Sequence, residues 1–313
     1  MHCQVFGSPE MTNDNVTLAQ LVMHQGEVVS EIYGPNVTAQ TTLISWSMAK
    51  SMTHALVGIA VQDGILDIDS PTGLPQWAHD GRSEITLRHL LEMRSGLSWV
   101  EDYVDGDSSD VIKMLFGTGK EDTAAFAIAQ PLVSPPGTSW VYSSGTTNIV
   151  ARLLGNALGD TPGSHVHIQQ FMQARLFDAL GMSASPKFDA AGTFIGSSYM
   201  FATARDFAKF GLLYLCDGIC NGVRILPKGW VDYARAQHVF DKETGLGYGA
   251  HWWTLPGERN SLVAAGYEGQ YIMVIPDRDL VVVRLGKTDS ALRNAVVAEL
   301  QEIIKHFPVT GGH

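Results

Sequence analysis

Residues 41–64 read TTLISWSMAKSMTHALVGIAVQDG. From Met48 onward, Met48, Met52, Ala55, Leu56, Ile59 and Ala60 recur at helical spacing, and Ala49, Val57 and Val61 fill the remaining sides. A helix that is apolar nearly all round has to be enclosed by other elements. The spacing predicts a helix over about residues 48–62, stopped by Asp63-Gly64. The later chain must therefore wrap around it. Ser47 and Lys50 stand at its opening, one turn apart on one face. One reading is an N-cap serine with a snorkelling lysine. The other is a nucleophile with its base. Free N–H groups and the dipole at a helix N-terminus favour developing negative charge. A buried lysine is costly unless paired or used, and burial lowers its pKa toward the neutral amine. Ser47-Met48-Ala49-Lys50 does not by itself choose between the two.

The wrapping material divides by pattern. Residues 18–34 read as two strands around a His24-Gln25-Gly26 turn. From about 66 to 190, short helical patterns alternate with Gly, Pro and Ser loops. ITLRHLLEMRSGLSW is read as a helix capped by Thr86 and stopped by Gly96. DTAAFAIAQ, TTNIVARLLGNALG and HIQQFMQARLFDALGM are three more, and PPGTSWVYSSG is a loop. After 190 comes a helix opened by Thr203 to Asp206, then a short one in LPKGWVDYARA with Pro227 near its first position. Antiparallel strands follow, turning at Tyr267-Glu268-Gly269 and at Asp277-Arg278-Asp279, before a last helix in ALRNAVVAELQEIIKHF. HWW, His251 to Trp253, reads as strand and core. The expected fold class is α+β. An antiparallel sheet, flanked by the first and last helices, is built from residues 1–66 and 190–313 as a discontinuous domain, with residues 67–189 as an inserted, mostly helical domain.

Composition narrows the function. A net charge of -11 argues against nucleic acid as a partner. No apolar run reaches the roughly 18 residues of a membrane span. No signal peptide is visible at the start, so the expected location is cytoplasmic, or periplasmic or secreted if a longer precursor exists. Cys216 and Cys220 bracket a turn, CDGIC, and are read as thiols, with a local disulfide as the alternative; Cys3 stands alone. HVH, His165 to His167, lacks an obvious third ligand, so no metal is expected.

Support for the chemical reading of Ser47 and Lys50 comes from WVYSSG. Tyr142-Ser143-Ser144 is the one Tyr-x-Ser or Tyr-x-Asn among the nine tyrosines, and it lies on a loop. A tyrosine beside a cationic lysine can relay a proton to a leaving group. With LISWSMAKSMTHALVGIAVQDGILDIDSP, ITLRHLLEMRSGLSWVEDY, SPPGTSWVYSSG, GYGAHWWT and GYEGQYIMVIPDRDLVVVRLG in this order, the chain resembles the serine β-lactamase-like hydrolases. That superfamily includes class C β-lactamases, DD-peptidases and family VIII carboxylesterases, and the segments look most like its 6-aminohexanoate-oligomer hydrolase branch.

The resemblance implies Ser47 as nucleophile, Lys50 as general base and Tyr142 as the second-motif tyrosine, with no cofactor. It implies an oxyanion hole from the backbone N–H groups of Ser47 and Tyr267. Ser144 stands where class C enzymes carry asparagine. Ala264 to Gly266 occupies the third-motif strand, keeping the glycine and losing the cation. That loss argues against a β-lactamase or DD-peptidase, which stays the alternative enzymatic reading. The expected activity is hydrolysis of small esters or amides through an acyl-enzyme, by a monomer or homodimer. Trp99, Tyr103, Ser144 and Gly266 are expected around the substrate, with Trp99 and Tyr103 as an apolar wall. The loop carrying Glu101, Asp102, Asp105, Asp107 and Asp110 reads either as a solvated acidic loop or as a negative rim that steers amine-bearing substrates.

Three rivals fit less well. No serine has glycine at both second neighbours, as a Gly-x-Ser-x-Gly elbow needs. GTGKEDT lacks the spacing of a phosphate-binding loop. A catalytically silent binding protein on the same fold would have little reason to carry Ser47, Lys50 and Tyr142 together.

Overall fold

A computed structural model describes residues 15–310. Eight antiparallel strands form its main sheet. They are β1 (Asn15–His24), β2 (Glu27–Tyr33), β3 (Val239–Asp241), β4 (Leu246–Tyr248), β5 (Trp253–Thr254), β6 (Leu262–Gly266), β7 (Gln270–Ile275) and β8 (Leu280–Thr288). The order across the sheet is β2-β1-β8-β7-β6-β5-β4-β3. Early and late chain thus meet where β1 pairs with β8, Leu21 opposite Val283 and Met23 opposite Val281. Gln25 (φ 53°) and Gly26 (φ 77°) make the turn between β1 and β2 where the sequence places it.

The period of two along each strand sorts side chains to opposite faces. Ile272, Val274, Val281 and Val283 join the larger core on one face, together with helix α1 (Met48–Gln62) and the later helix Ala204–Leu215. Met273, Ile275 and Val282 face the other way, against Val296, Leu300 and Ile304 of the last helix, Arg293–Lys305. The first and last helices therefore flank the sheet, as the pattern predicts. Met48 through Ala60 of α1 are all buried, which matches a helix with no polar stripe.

Between these ends the chain supplies the helices Leu87–Leu91, Asp110–Phe116, Thr123–Ile128, α2 (Ser144–Ala157) and Val166–Met172. Several boundaries differ from expectation. Thr86 does cap its helix, in a reciprocal box with His89, but the helix ends at Leu91, well before Gly96. Met93, at φ 58°, turns the chain away first. Helix α2 starts at Ser144 because Ser143 accepts the Thr146 N–H and caps it there. Pro227 lies ahead of the helix Trp230–Arg235, whose N-cap is Gly229 in a left-handed conformation. Thr203 caps Ala204–Leu215 as expected.

Cys216 and Cys220 are free thiols, and Cys3 lies outside the described residues. No helix among the described residues is long and apolar enough to cross a membrane.

Candidate active site

Ser47 is reached through a kink. Leu43 pairs with Ala202 and Ile44 with Phe201, then Trp46, at φ 43°, swings the chain into α1. Ser47 is the N-cap residue, yet its side chain makes no capping hydrogen bond. Its Oγ lies instead 2.9 Å from the Nζ of Lys50. The reading of Ser47 as an ordinary N-cap therefore fails on geometry.

Lys50 does not snorkel. It is 1% exposed, and its Nζ lies 2.9 Å from Ser144 Oγ and 3.0 Å from the carbonyl oxygen of Ser197. The nitrogen also sits 4.8 Å from the centre of the Tyr142 ring. Burial pulls the Lys50 pKa down to about 8, against an opposing pull from the negative charge of Glu101. The Tyr142 phenol is pushed well up, first by burial and then by Glu101, with the neighbouring Ser47 hydroxyl working the other way. Tyr142 is held from behind by Trp253, at 5.4 Å between ring centres, and by the edge-on ring of Tyr248 at 5.9 Å.

Glu101 was expected only as part of an acidic loop. It is a half-buried anchor at the edge of the cleft. One carboxylate oxygen accepts from Trp99 Nε1 at 2.5 Å and from the Ser144 N–H at 2.8 Å. The other accepts from Tyr103 Oη at 2.8 Å and from Ser144 Oγ at 2.5 Å. The signal in the sequence is the alternation Trp99-x-Glu101-x-Tyr103. In an extended segment, alternate residues share one face, here three groups with matching donors and acceptors.

Ser47, Tyr103, Tyr142, Gly266 and Tyr267 line one cleft of about 420 Å³, a size suited to a small-molecule substrate. Trp99 and Ser144 do not line it. The Trp99 ring is turned inward against the first turn of α2, where a Cβ on Gly145 would lie 2.5 Å from Cζ3. Ser144 is fully buried and bridges Lys50 to Glu101, so it is out of reach of a substrate. Tyr103 stacks on Tyr267 at 4.9 Å and 17°, forming wall without Trp99. Gly266 ends β6 against the start of α1. A Cβ there would fall 2.5 Å from the Ser45 carbonyl oxygen and 3.2 Å from the Ser47 nitrogen, so only glycine fits. The Ser47 N–H donates to no acceptor among the described residues.

The carboxylates that line the cleft besides Glu101 are Asp241, Glu243, Glu268 and Asp289. Asp102, Asp105, Asp107 and Asp110 do not line it. Asp102, Asp105 and Asp110 spend oxygens on nearby backbone N–H groups, those of Val104, Asp107 and Val100. Arg293 is the cation among the described lining residues. Trp253, read only as strand and core, also faces the cleft. His251 is core, bonded to Thr147 and to the Leu91 carbonyl. His165 stacks on Phe188, and His167 pairs with Asp160 at 3.2 Å.

The sequence profile of the β-lactamase family matches residues 11–302. The chain is 26% identical over 292 residues to the 6-aminohexanoate-dimer hydrolase of Paenarthrobacter ureafaciens, covering 87% of this chain and 73% of that protein. Among solved structures, a candidate 6-aminohexanoate-dimer hydrolase from Bacillus anthracis superimposes with a TM-score of 0.80 at 21% identity, covering 93% of this chain and 79% of that one. A penicillin-binding protein from Bacillus halodurans gives 0.71 at 17% identity, covering 92% and 97%.

Proposed function

The chain belongs to the β-lactamase family of serine hydrolases, and from that premise we propose that it cleaves small esters or amides through an acyl-enzyme on Ser47. One observation carries the reading, the set of partners around Lys50 Nζ. An ammonium donates to all three of its neighbours. A neutral amine has two N–H groups and one lone pair. The Ser197 carbonyl can only accept, and Ser144 spends its own proton on Glu101, so both must receive N–H groups. The lone pair is left facing Ser47 Oγ. Lys50 is thereby held as a base aimed at one hydroxyl.

The steps follow from that arrangement. Lys50 takes the Ser47 proton as Oγ bonds to the substrate carbonyl carbon. The carbonyl electron pair moves to oxygen, where the N–H groups of Ser47 and Tyr267 receive it. As the tetrahedral intermediate collapses, the bond to the leaving group breaks. Tyr142, kept protonated by burial, gives its proton to the leaving group and is resupplied by the Lys50 ammonium. Water repeats the sequence on the ester of Ser47, with Lys50 again as base, and releases the acid.

For the acyl part we favour substrates with an amino group. Five carboxylates and one guanidinium line the cleft, which favours a cation. Ala264 supplies no third-motif cation for a β-lactam carboxylate. The 6-aminohexanoate dimer, named for the Paenarthrobacter relative, is an amide with an amine at one end.

The test is a pair of variants assayed on p-nitrophenyl esters and on that dimer. Ser47→Ala and Lys50→Ala should each lower kcat/KM by on the order of 10⁴-fold or more, with the melting curve retained. A fluorophosphonate should add to Ser47 in the unaltered protein. Turnover surviving in Ser47→Ala would overturn the reading.

A further inference from the structure

The two segments that carry the Ser47 and Tyr267 N–H groups each contain a non-glycine residue with left-handed backbone. Trp46, immediately before Ser47, has φ 43°, and Glu268, immediately after Tyr267, has φ 59°. Bulky side chains are rarely held there, and such strain persists only where the surroundings enforce it. The surroundings here include each other. Trp46 Nε1 donates to Glu268 Oε2 at 3.0 Å, across 222 residues of chain. The Trp46 ring also meets the Tyr267 ring edge-on, at 5.7 Å and 90°, while Tyr199 tilts against it at 5.8 Å. Both partners are only half-buried, so no general core packing accounts for the pairing.

We propose that the Trp46–Glu268 hydrogen bond is a clasp that sets the spacing and direction of the two oxyanion-hole N–H groups, which makes both side chains positioning residues for acyl transfer. The inference rests on the acyl-enzyme reading above. Gly266 makes the rest of the contact, because it lets the Ser45 carbonyl lie directly against the end of β6. Without the clasp, both kinks are free to relax toward ordinary backbone conformations, and the two N–H groups lose their common target. Such a loss falls on the transition state, where charge develops, and little on the bound substrate.

Three single variants and one double test this. E268A and W46F should each lower kcat/KM for a neutral p-nitrophenyl ester by about 10- to 100-fold, short of the 10²–10³ lost with a whole oxyanion donor. KM should change little, and affinity for an arylboronic acid, which mimics the tetrahedral adduct, should fall in parallel with kcat. E268Q keeps an acceptor for the indole N–H and should recover most of the loss. The double variant W46F/E268A should be no worse than the poorer single, since both remove the same bond. The clasp is overturned if E268A and W46F keep boronate affinity, if their losses multiply, or if E268Q is as impaired as E268A. Fluorophosphonate labelling of the unaltered protein separates the two ideas. No adduct on Ser47 sinks the acyl-enzyme reading itself, whereas labelling with unchanged boronate affinity in the variants sinks only the clasp.

Discussion

Lys50 and Glu101 are joined without touching: Ser144 Oγ stands between them, 2.9 Å from the Lys50 nitrogen and 2.5 Å from the Glu101 carboxylate. A full contact would stabilise the ammonium and spoil the base. A single intervening hydroxyl orients the amine and weakens that effect.

The first prediction concerns pH. As the proposed base, Lys50 has to be neutral to act, and burial lowers its pKa to about 8. kcat/KM should therefore rise with pH along a limb whose apparent pKa is about 8, measured with an ester stable in that range. Glu101 raises the Lys50 pKa, so Glu101→Gln should move the limb to lower pH. A limb that moves upward would contradict the assigned sign.

Ser144→Ala removes the bridge without touching the cleft wall. One Lys50 N–H then lacks an acceptor in a buried site. An unmet buried polar group costs about 1–3 kcal/mol, so kcat should fall on the order of 10- to 100-fold. KM should stay close to its original value. Steady-state kinetics on one ester separates the two parameters.

Tyr142→Phe should discriminate by leaving group. An amide needs a proton on its departing nitrogen, while p-nitrophenolate leaves without one. Amide turnover should fall by about 10²- to 10⁴-fold, the usual scale of general acid catalysis, and p-nitrophenyl ester turnover far less. Equal losses on both would remove Tyr142 from the role of proton donor.

Charge at the cleft should be visible in substrate choice. At low salt, esters with a terminal amine should turn over faster than matched esters with a terminal acid. The gap should narrow near 1 M salt, where screening acts over about 3 Å. Asp241→Asn together with Glu243→Gln should narrow it too, because both carboxylates line the cleft. Asp105→Asn should leave the gap in place, since Asp105 lies outside that lining and bonds locally.

Sequence pattern carried the parts of this molecule that are local. Helix α1 was legible from its uninterrupted apolar spacing, and the Ser47–Lys50 pair from its one-turn separation. The turn at Gln25-Gly26 and the cap at Thr203 were also legible, because each depends on a few neighbouring residues. What was hidden depends on distant pairings. Glu101 meets Ser144 across 43 residues, and nothing near Glu101 announces that the serine will be there. Trp99 looked like wall because aromatic residues suit walls, but Gly145, far along the chain, opens the space that receives it. Four of the five cleft carboxylates, Asp241, Glu243, Glu268 and Asp289, come from the end of β3, the turn after it, the turn between β6 and β7, and just beyond β8, some 200 residues from Ser47.

The pairing of β1 with β8 also bears on how the protein is made. Helix α1 and Ser47 leave the ribosome early, but the strand that β1 needs is residues 280–288. At roughly 5–20 residues per second, that strand arrives on the order of 10–50 s later. For most of that interval Ser47 exists without the segment bearing Tyr267, which comes shortly before β8 in the chain. On the acyl-enzyme reading, a polypeptide broken off before β6 would carry Ser47 and Lys50 without the Tyr267 N–H of the proposed oxyanion hole, so hydrolytic power would switch on late in synthesis.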